Sequence, residues 1–314
     1  MSEVRIGLVG AGRLAEAGYV PAARAAAGVR LVALAEPDPA RRAFVAAAAG
    51  GVPGYPDAGS LLAAGGVDAV VLATPAAAHL ADAEAAAAAG VPVLVEKPPA
   101  ADLAGATALA ALDPPPWIGF NRRFEAGMAK LRAAVPPGTP VGLILDLAYR
   151  RRSWGAHAVA DEALLDLGPH LVDLARWITG AEVTDVVRAA VSRERAEFDL
   201  VLGAARARIR CAADRPYRER VEVRHRRGDL IARRVKGGPV AAVRDRLAPG
   251  PHPLVASLTA QLEALAASVR TGAPDPLLGT AADGIAVMAT LDAVRACAAG
   301  GRDVMELKVG HPEP

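Results

Sequence analysis

The chain has 314 residues, 53% of them apolar and 22% charged, with a formal net charge of +2. That length exceeds what one hydrophobic core usually supports, so two domains are expected, and near-neutrality removes the electrostatic case for nucleic acid or a membrane surface as partner. Two distant cysteines, Cys211 and Cys297, without histidines at zinc spacing point to a reducing compartment and no metal framework; the N-terminus resembles no leader and no apolar run reaches spanning length, so a cytoplasmic location is expected.

Arg5 to Val9 reads as a short buried strand. It leads into Gly10-Ala11-Gly12-Arg13-Leu14-Ala15, a G-x-G-x-x-A turn, and then a helix through about Ala27. The first glycine permits the tight turn, the second lets the backbone approach a pyrophosphate, and Ala15 is small enough for close helix–strand packing. Unpaired N–H groups and the dipole at the helix N-terminus favour phosphate. A second strand, Arg30 to Ala35, ends in Glu36, where a carboxylate meets the adenosine ribose. Gly10, Ala11, Gly12, Arg13, Leu14 and Glu36 are therefore candidate dinucleotide ligands; the alternative is a helix-capping turn beside a surface glutamate. A carboxylate repels a 2′-phosphate, so NAD is favoured over NADP. Arg41 and Arg42, just past Pro37-Asp38-Pro39, either reach toward such a phosphate or open the next helix as exposed residues.

Val67 to Ala73 is the next strand, closed by Thr74-Pro75. His79 to Ala89 is a helix, and Val91 to Val95 a strand closed by Glu96-Lys97-Pro98-Pro99. Strands alternating with helices imply a parallel sheet covered on both faces. Ligands bind such sheets beyond the carboxyl ends of the strands, where Gly10, Glu36, Thr74 and Lys97 fall. Pro114-Pro115-Pro116 reads as a stiff spacer before the strand Trp117 to Phe120. The boundary is set near residue 118, with 1–118 a Rossmann domain and 119–314 an α+β domain for substrate binding and oligomerisation.

In the second domain, strand patterns cover Val141–Tyr149, Phe198–Leu202, Ala205–Cys211 and Arg218–Arg226. Helical patterns cover Leu165–Thr179, Leu254–Arg270 and Ala281–Ala299. Strands grouped apart from helices imply an open, mostly antiparallel sheet with helices on one face. Arg206, Arg208 and Arg210 alternate with small and apolar residues, and Arg218, Arg220, Arg224 and Arg226 share a face with Glu222. A solvated face is the first reading and a contact between copies the second; no aromatics interleave for base stacking. Arg150-Arg151-Arg152 ends the Val141 strand and leads into Trp154 and His157. One of these arginines is a candidate to bind a carboxylate or phosphate of the substrate, with a water-exposed basic strand end as the alternative.

An ordered set of motifs resembles the Gfo/Idh/MocA family, named for glucose–fructose oxidoreductase, inositol dehydrogenase and a rhizopine catabolism protein. It runs from the G-x-G-x-x-A turn through Ala73-Thr74-Pro75 with His79, and Glu96-Lys97-Pro98. Gly119-Phe120-Asn121-Arg122-Arg123-Phe124 and Leu165-Asp166-Leu167-Gly168-Pro169-His170 follow. The resemblance implies an NAD(P)-dependent dehydrogenase or reductase of a sugar, cyclitol or related hydroxy or keto compound, possibly acidic, forming a homodimer or homotetramer through the second-domain sheet. It assigns Lys97, Asp166 and His170 to catalysis, and Thr74, Pro75, His79, Glu96 and Lys97 to the cofactor side, where Arg41 is a candidate by its position alone. Arg123, Arg150, Arg152, Trp154 and His157 are candidates for the substrate side. It also implies that the Lys97–Pro98 peptide is often cis. An imidazole whose ordinary titration lies near neutrality suits a general base, while Asp166 orients it or binds a hydroxyl and Lys97 polarises the reacting oxygen. Gly168-Pro169 suggests that the helix begins only shortly before His170. Two departures stand out: Ala76 where asparagine is frequent, and no glycine run before Asp166. They keep two alternatives in view, a cofactor-binding regulator without catalysis and a reductase of imine-type substrates.

Overall fold

The computed structural model describes residues 2–151, 162–237 and 252–300, with the backbone alone at 305–306. The chain forms two compact units, Met1–Glu125 with Pro251–Ile285, and Ala126–Gly250 with Ala286–Pro314.

The first unit is built on six strands: β1 (Val4–Val9), β2 (Val29–Ala35), β3 (Gly54–Tyr55), β4 (Ala69–Leu72), β5 (Val93–Glu96) and β6 (Trp117–Gly119). Their order is β3-β2-β1-β4-β5-β6, and every pairing is parallel. Each residue of β4 and β5 is buried, as continuous apolar runs require when helices cover both faces. The chain winds outward from β1 to β3 and then resumes on the other side of β1 at β4. The carboxyl ends of β1 and β4 therefore flank the point where the strand order reverses, the place where such sheets open a crevice for ligands.

After β1 the helix starts with a π-helical turn, Ala15–Tyr19, and continues as α1 (Val20–Ala25). Next, α2 (Pro39–Ala48) starts at Pro39 with the Asp38 side chain accepting from Arg41 N–H, the expected chemistry of a helix start. Then come α3 (Ala58–Ala64), α4 (His79–Ala88) and α5 (Leu103–Ala110).

The later helix Pro253–Thr271 also belongs to this unit. Its Leu258, Leu262 and Leu265 join the core of Leu8, Leu34, Val71 and Leu94. A Cβ at Gly18 would come within 2.7 Å of Leu258 Cδ1, so glycine there lets the two helices meet closely. The sequence reading leaves this helix in the second domain, because apolar spacing shows that a face is buried but not against what.

The second unit carries α6 (Met128–Ala133), β7 (Val141–Arg150), α7 (Ala163–Thr179), β8 (Asp185–Val191), β9 (Arg195–Leu202), β10 (Ala205–Ala212), β11 (Asp214–His225) and β12 (Leu230–Gly237). With a two-residue β13 (Met305–Glu306), the sheet order is β12-β11-β7-β10-β9-β8-β13, and only β7 and β10 pair in parallel. Strict alternation in β10 buries Ala205, Ala207, Ile209 and Cys211 and leaves Arg206, Arg208 and Arg210 on the outer face. β8 and β12 lack such alternation and are not legible in the sequence.

Helix α7 begins at Ala163, earlier than the Gly168-Pro169 pair suggests, and Pro169 lies inside it. Gly168 is there for packing: a Cβ would stand 3.0 Å from Leu291 Cδ2, on the helix Ala281–Gly300. Nearly every side chain of α7 is buried. That packing carries the helix across a proline that removes one intrahelical bond. Among the described residues, no helix is long and apolar enough to cross a membrane.

Candidate functional site

In the first unit the glycine loop is the centre. Gly10 has φ of +92°, and a Cβ on it would lie 2.7 Å from Ala73 O and 2.8 Å from Thr74 N. Glycine is thus required by the close approach of the β1 and β4 ends. Gly12 differs: a Cβ there meets nothing within 4 Å. No protein atom demands that glycine, and the loop backbone faces open space at the position a pyrophosphate would take. Ala15 is fully buried, Arg13 is exposed, and Leu14 packs on the core.

Glu36 stands against this loop. Its Oε2 accepts from Ala11 N–H at 2.9 Å and its Oε1 from Asp38 N–H at 3.2 Å. Arg41 turns onto the loop as well: Nε donates to Ala11 O at 2.6 Å, and Nη2 to Gly12 O at 3.1 Å and Glu16 Oε2 at 2.7 Å. Arg42 donates to the carbonyls of Glu36 and Pro37 at 2.6 and 3.2 Å. Both arginines, read from the sequence as exposed or as reaching for a phosphate, bind backbone carbonyls around the turn. The residues present fit a dinucleotide with an unphosphorylated ribose.

The ends of β4 and β5 form the neighbouring part. Thr74 Oγ1 donates to Asp82 Oδ2 at 2.9 Å. His79 is buried, with Nε2 at 2.9 Å from Thr74 O and Nδ1 at 3.1 Å from Pro99 O. His79, expected on the cofactor side, ties two loops together: each ring nitrogen lies within hydrogen-bond distance of a backbone carbonyl, and the neutral ring donates to one of them. Burial holds it below the ordinary imidazole range, against the opposing pull of those carbonyls. Pro75, next to Thr74, is exposed.

Glu96 is also buried. It accepts from Tyr19 Oη at 2.5 Å and from Lys97 N–H at 3.0 Å, and burial pushes its carboxyl above the usual range. The backbone just ahead of the cis Lys97–Pro98 peptide is anchored by this carboxyl. Tyr19 has no sequence signal beyond an aromatic shortly after a glycine turn. Arg123, a substrate-side expectation, is taken up within the unit: it pairs with Asp283 at 3.0 Å and lies over the Phe120 ring.

In the second unit, Asp166 and His170 are both inside α7, four residues apart and therefore on one helix face. Both are largely buried, 7% and 9% exposed. The Tyr149 hydroxyl donates to Asp166 Oδ2. Burial first, then the Asp166 carboxylate, push the Tyr149 phenol up, and the Arg151 guanidinium opposes them. Arg150 is exposed, whereas Arg151 is buried and its N–H donates to Ala213 O at 2.8 Å. Arg152, Trp154 and His157 lie outside the described residues. Tyr149 is the residue that sequence reasoning did not single out, although the alternation of β7, continued past Leu147, points to it; of the three arginines named as candidates, Arg151 is the buried one.

The outer sheet face is a lattice of alternating charges rather than a basic surface. Asp199 bonds Arg188 and Arg208 at 2.8 and 2.9 Å, and Glu222 bonds Arg220 and Arg224 at 2.7 and 2.9 Å. The two guanidiniums hold Glu222 down at about 2.

Residues 4–113 match the family model described as an oxidoreductase family with an NAD-binding Rossmann fold, GFO_IDH_MocA. Residues 4–113 thus resemble the N-terminal domain of Gfo/Idh/MocA proteins. Among similar proteins, the rhizopine catabolism protein MocA of Rhizobium meliloti is 34% identical over 59% of this chain and 60% of its own length. Inositol 2-dehydrogenase 4 of Saccharopolyspora erythraea is 33% identical over 59% and 56%. The chain thus spans under two thirds of these Gfo/Idh/MocA relatives.

Two solved structures show the same fold over more of the chain. One is a myo-inositol dehydrogenase from Lactobacillus casei in complex with NAD(H) and myo-inositol, with TM-score 0.80, 18% identity, and coverage of 99% of this chain and 98% of that one. The other is an oxidoreductase from Agrobacterium radiobacter in complex with NAD+, L-tartaric acid and magnesium, with TM-score 0.77, 22% identity, and coverage of 98% and 99%. The glycine loop, Thr74 and Lys97 fall inside the matched Gfo/Idh/MocA segment, whereas Asp166 and His170 lie beyond it.

Proposed function

We propose that this protein is an NAD-dependent dehydrogenase that oxidises a secondary alcohol of a cyclitol- or sugar-like polyol. The observation that carries the reading is the glycine loop at the strand-order reversal, open in front of Gly12 and closed behind Gly10, with a carboxylate beside it. Gly10 to Leu14 receive the pyrophosphate, and Glu36 receives the adenosine ribose in exchange for its bond to Ala11 N–H. Arg41 keeps the loop carbonyls in place. Thr74 and Lys97, at the ends of β4 and β5, serve the nicotinamide end. When bound, the nicotinamide supplies the hydride acceptor.

On the protein side, Lys97 polarises the reacting oxygen and His170 takes the hydroxyl proton. Asp166, held by Tyr149, orients the substrate and the imidazole. With a bound nicotinamide accepting the hydride, the O–H proton would pass to His170 and the alcohol would become a ketone. The inositol dehydrogenases among the similar proteins support the polyol class. Copies associate through the outer sheet face, whose charge rows alternate in sign and suit a self-complementary contact.

The test is formation of reduced nicotinamide from NAD+ with a panel of inositols, sugars and sugar acids. Turnover is expected with at least one polyol, and Lys97→Ala and His170→Ala each lower kcat by on the order of 10²-fold or more. Tight NADH binding without turnover of any panel member would identify a cofactor-binding regulator instead.

A further inference from the structure

The Arg150-Arg151-Arg152 run is divided by the pleat of β7. Leu143, Leu145 and Leu147 form its buried row, and Tyr149 and Arg151 continue that row toward the strand end, while Arg150 falls in the exposed one. Arg151 is only 8% exposed, and among the described residues none of its three guanidinium nitrogens makes a hydrogen bond of ordinary geometry, the Tyr149 hydroxyl being a close polar neighbour. A carboxylate oxygen of Glu194 stands 3.7 Å away, beyond hydrogen-bond reach, and Glu194 is itself 45% exposed. Burying a guanidinium without acceptors is costly, and an apolar side chain in its place is often more stable. The ion pair with the half-exposed Glu194 offsets that burial only weakly, and a ligand acceptor would complete it.

Its surroundings say where that ligand lies. The guanidinium acts on the Tyr149 hydroxyl, which is bonded to Asp166, and Asp166 shares a helix face with His170. The orphaned donors therefore belong to the wall that carries the proposed proton-handling residues of this unit.

We propose that Arg151 binds a carboxylate on the substrate, so that the polyol oxidised is a sugar acid or a related hydroxy acid; this rests on the dehydrogenase reading above. The planar fork offers a carboxylate two parallel N–H···O bonds. One guanidinium balances one negative charge, which fits a carboxylate better than a phosphate dianion.

The experiment compares kcat/KM with NAD+ for matched pairs, D-glucuronate with D-glucose and D-galacturonate with D-galactose, and adds D-glucose 6-phosphate. Wild-type protein is expected to favour the acids by on the order of 10²-fold or more. Arg151→Met loses that preference, Arg151→Lys keeps part of it, and Arg150→Met retains it. Without ligand, Arg151→Met melts at a higher temperature than wild type, because a buried charge without acceptors is gone.

Equal turnover of acid and neutral sugars overturns the carboxylate assignment and leaves the dehydrogenase reading standing. Preference for the phosphate also overturns it. If no sugar turns over, thermal shift by D-glucuronate in the presence of NADH decides. Stabilisation of wild type but not of Arg151→Met upholds the carboxylate site and sinks the dehydrogenase reading, and no shift in either removes the site as well.

Discussion

Gly10 and Gly12 carry the same side chain for unlike reasons, and the difference can be measured. Gly10→Ala forces a Cβ against Ala73 O at 2.7 Å with φ near +92°. The left-handed backbone alone costs about 1–2 kcal/mol, so the variant should melt well below wild type. Gly12→Ala meets no protein atom within 4 Å. It should leave the melting temperature unchanged while weakening NADH binding by roughly tenfold or more, since the new methyl occupies the backbone's approach to the pyrophosphate. Equal binding by wild type and Gly12→Ala would contradict the loop assignment.

His79 makes a second residue-scale prediction. Its folded-state pKa lies below the ordinary 6.5 because the ring is buried. The stability linked to the neutral ring is present above that value and is lost as pH falls through the folded-state pKa. Urea unfolding between pH 8 and pH 5 should show wild type declining below about pH 6.5 and His79→Gln declining less. A parallel decline in both would mean that His79 does not set this pH limb. These roles were only partly legible. The G-x-G-x-x-A spacing located the loop, but spacing cannot say which partner a side chain prefers. That is why the contacts of His79 and Arg41 with backbone carbonyls, and the Tyr19–Glu96 bond, went unseen.

At the scale of elements, the outer face of the second sheet is held by rows of opposite charge. Glu222 lies between Arg220 and Arg224 on β11, and its carboxyl is held at about 2 instead of 4.5. A depressed carboxyl pKa contributes stability that is full above about pH 4.5 and is lost as pH falls toward about 2. Glu222→Gln should therefore flatten the acid limb of the unfolding profile across that window; an unchanged limb would show that the guanidiniums contribute nothing there. β10 was legible because Ala-Arg-Ala-Arg-Ile-Arg-Cys alternates without a break. β8 and β12 were not, because Asp185–Val191 and Leu230–Gly237 interrupt the period with adjacent apolar or adjacent charged residues. α7 shows the converse. Local chemistry placed its start near Pro169, and burial of nearly the whole helix overrides that preference. The same extension puts Asp166 and His170 on one helical face.

At the scale of the molecule, the alternation of strands and helices up to residue 118 was enough to read a doubly wound parallel sheet, and the observed β3-β2-β1-β4-β5-β6 order is of that kind. The return of Pro251–Ile285 to the first unit was beyond reach, because a distant segment that completes a core leaves no local mark. That return seats Leu258 against Gly18, three residues after the end of the glycine motif. The glycine helix is thus packed from behind by a part of the chain far away in sequence. Binding of NAD to this loop is the expectation on which the proposed function rests. It is tested most directly by titrating the purified protein with NADH and, separately, NADPH, following nicotinamide fluorescence. Saturable NADH binding in the micromolar range, with NADPH at least tenfold weaker because Glu36 meets the ribose, is the predicted result. No binding of either at about 1 mM, the weak end of specific affinities, would contradict it.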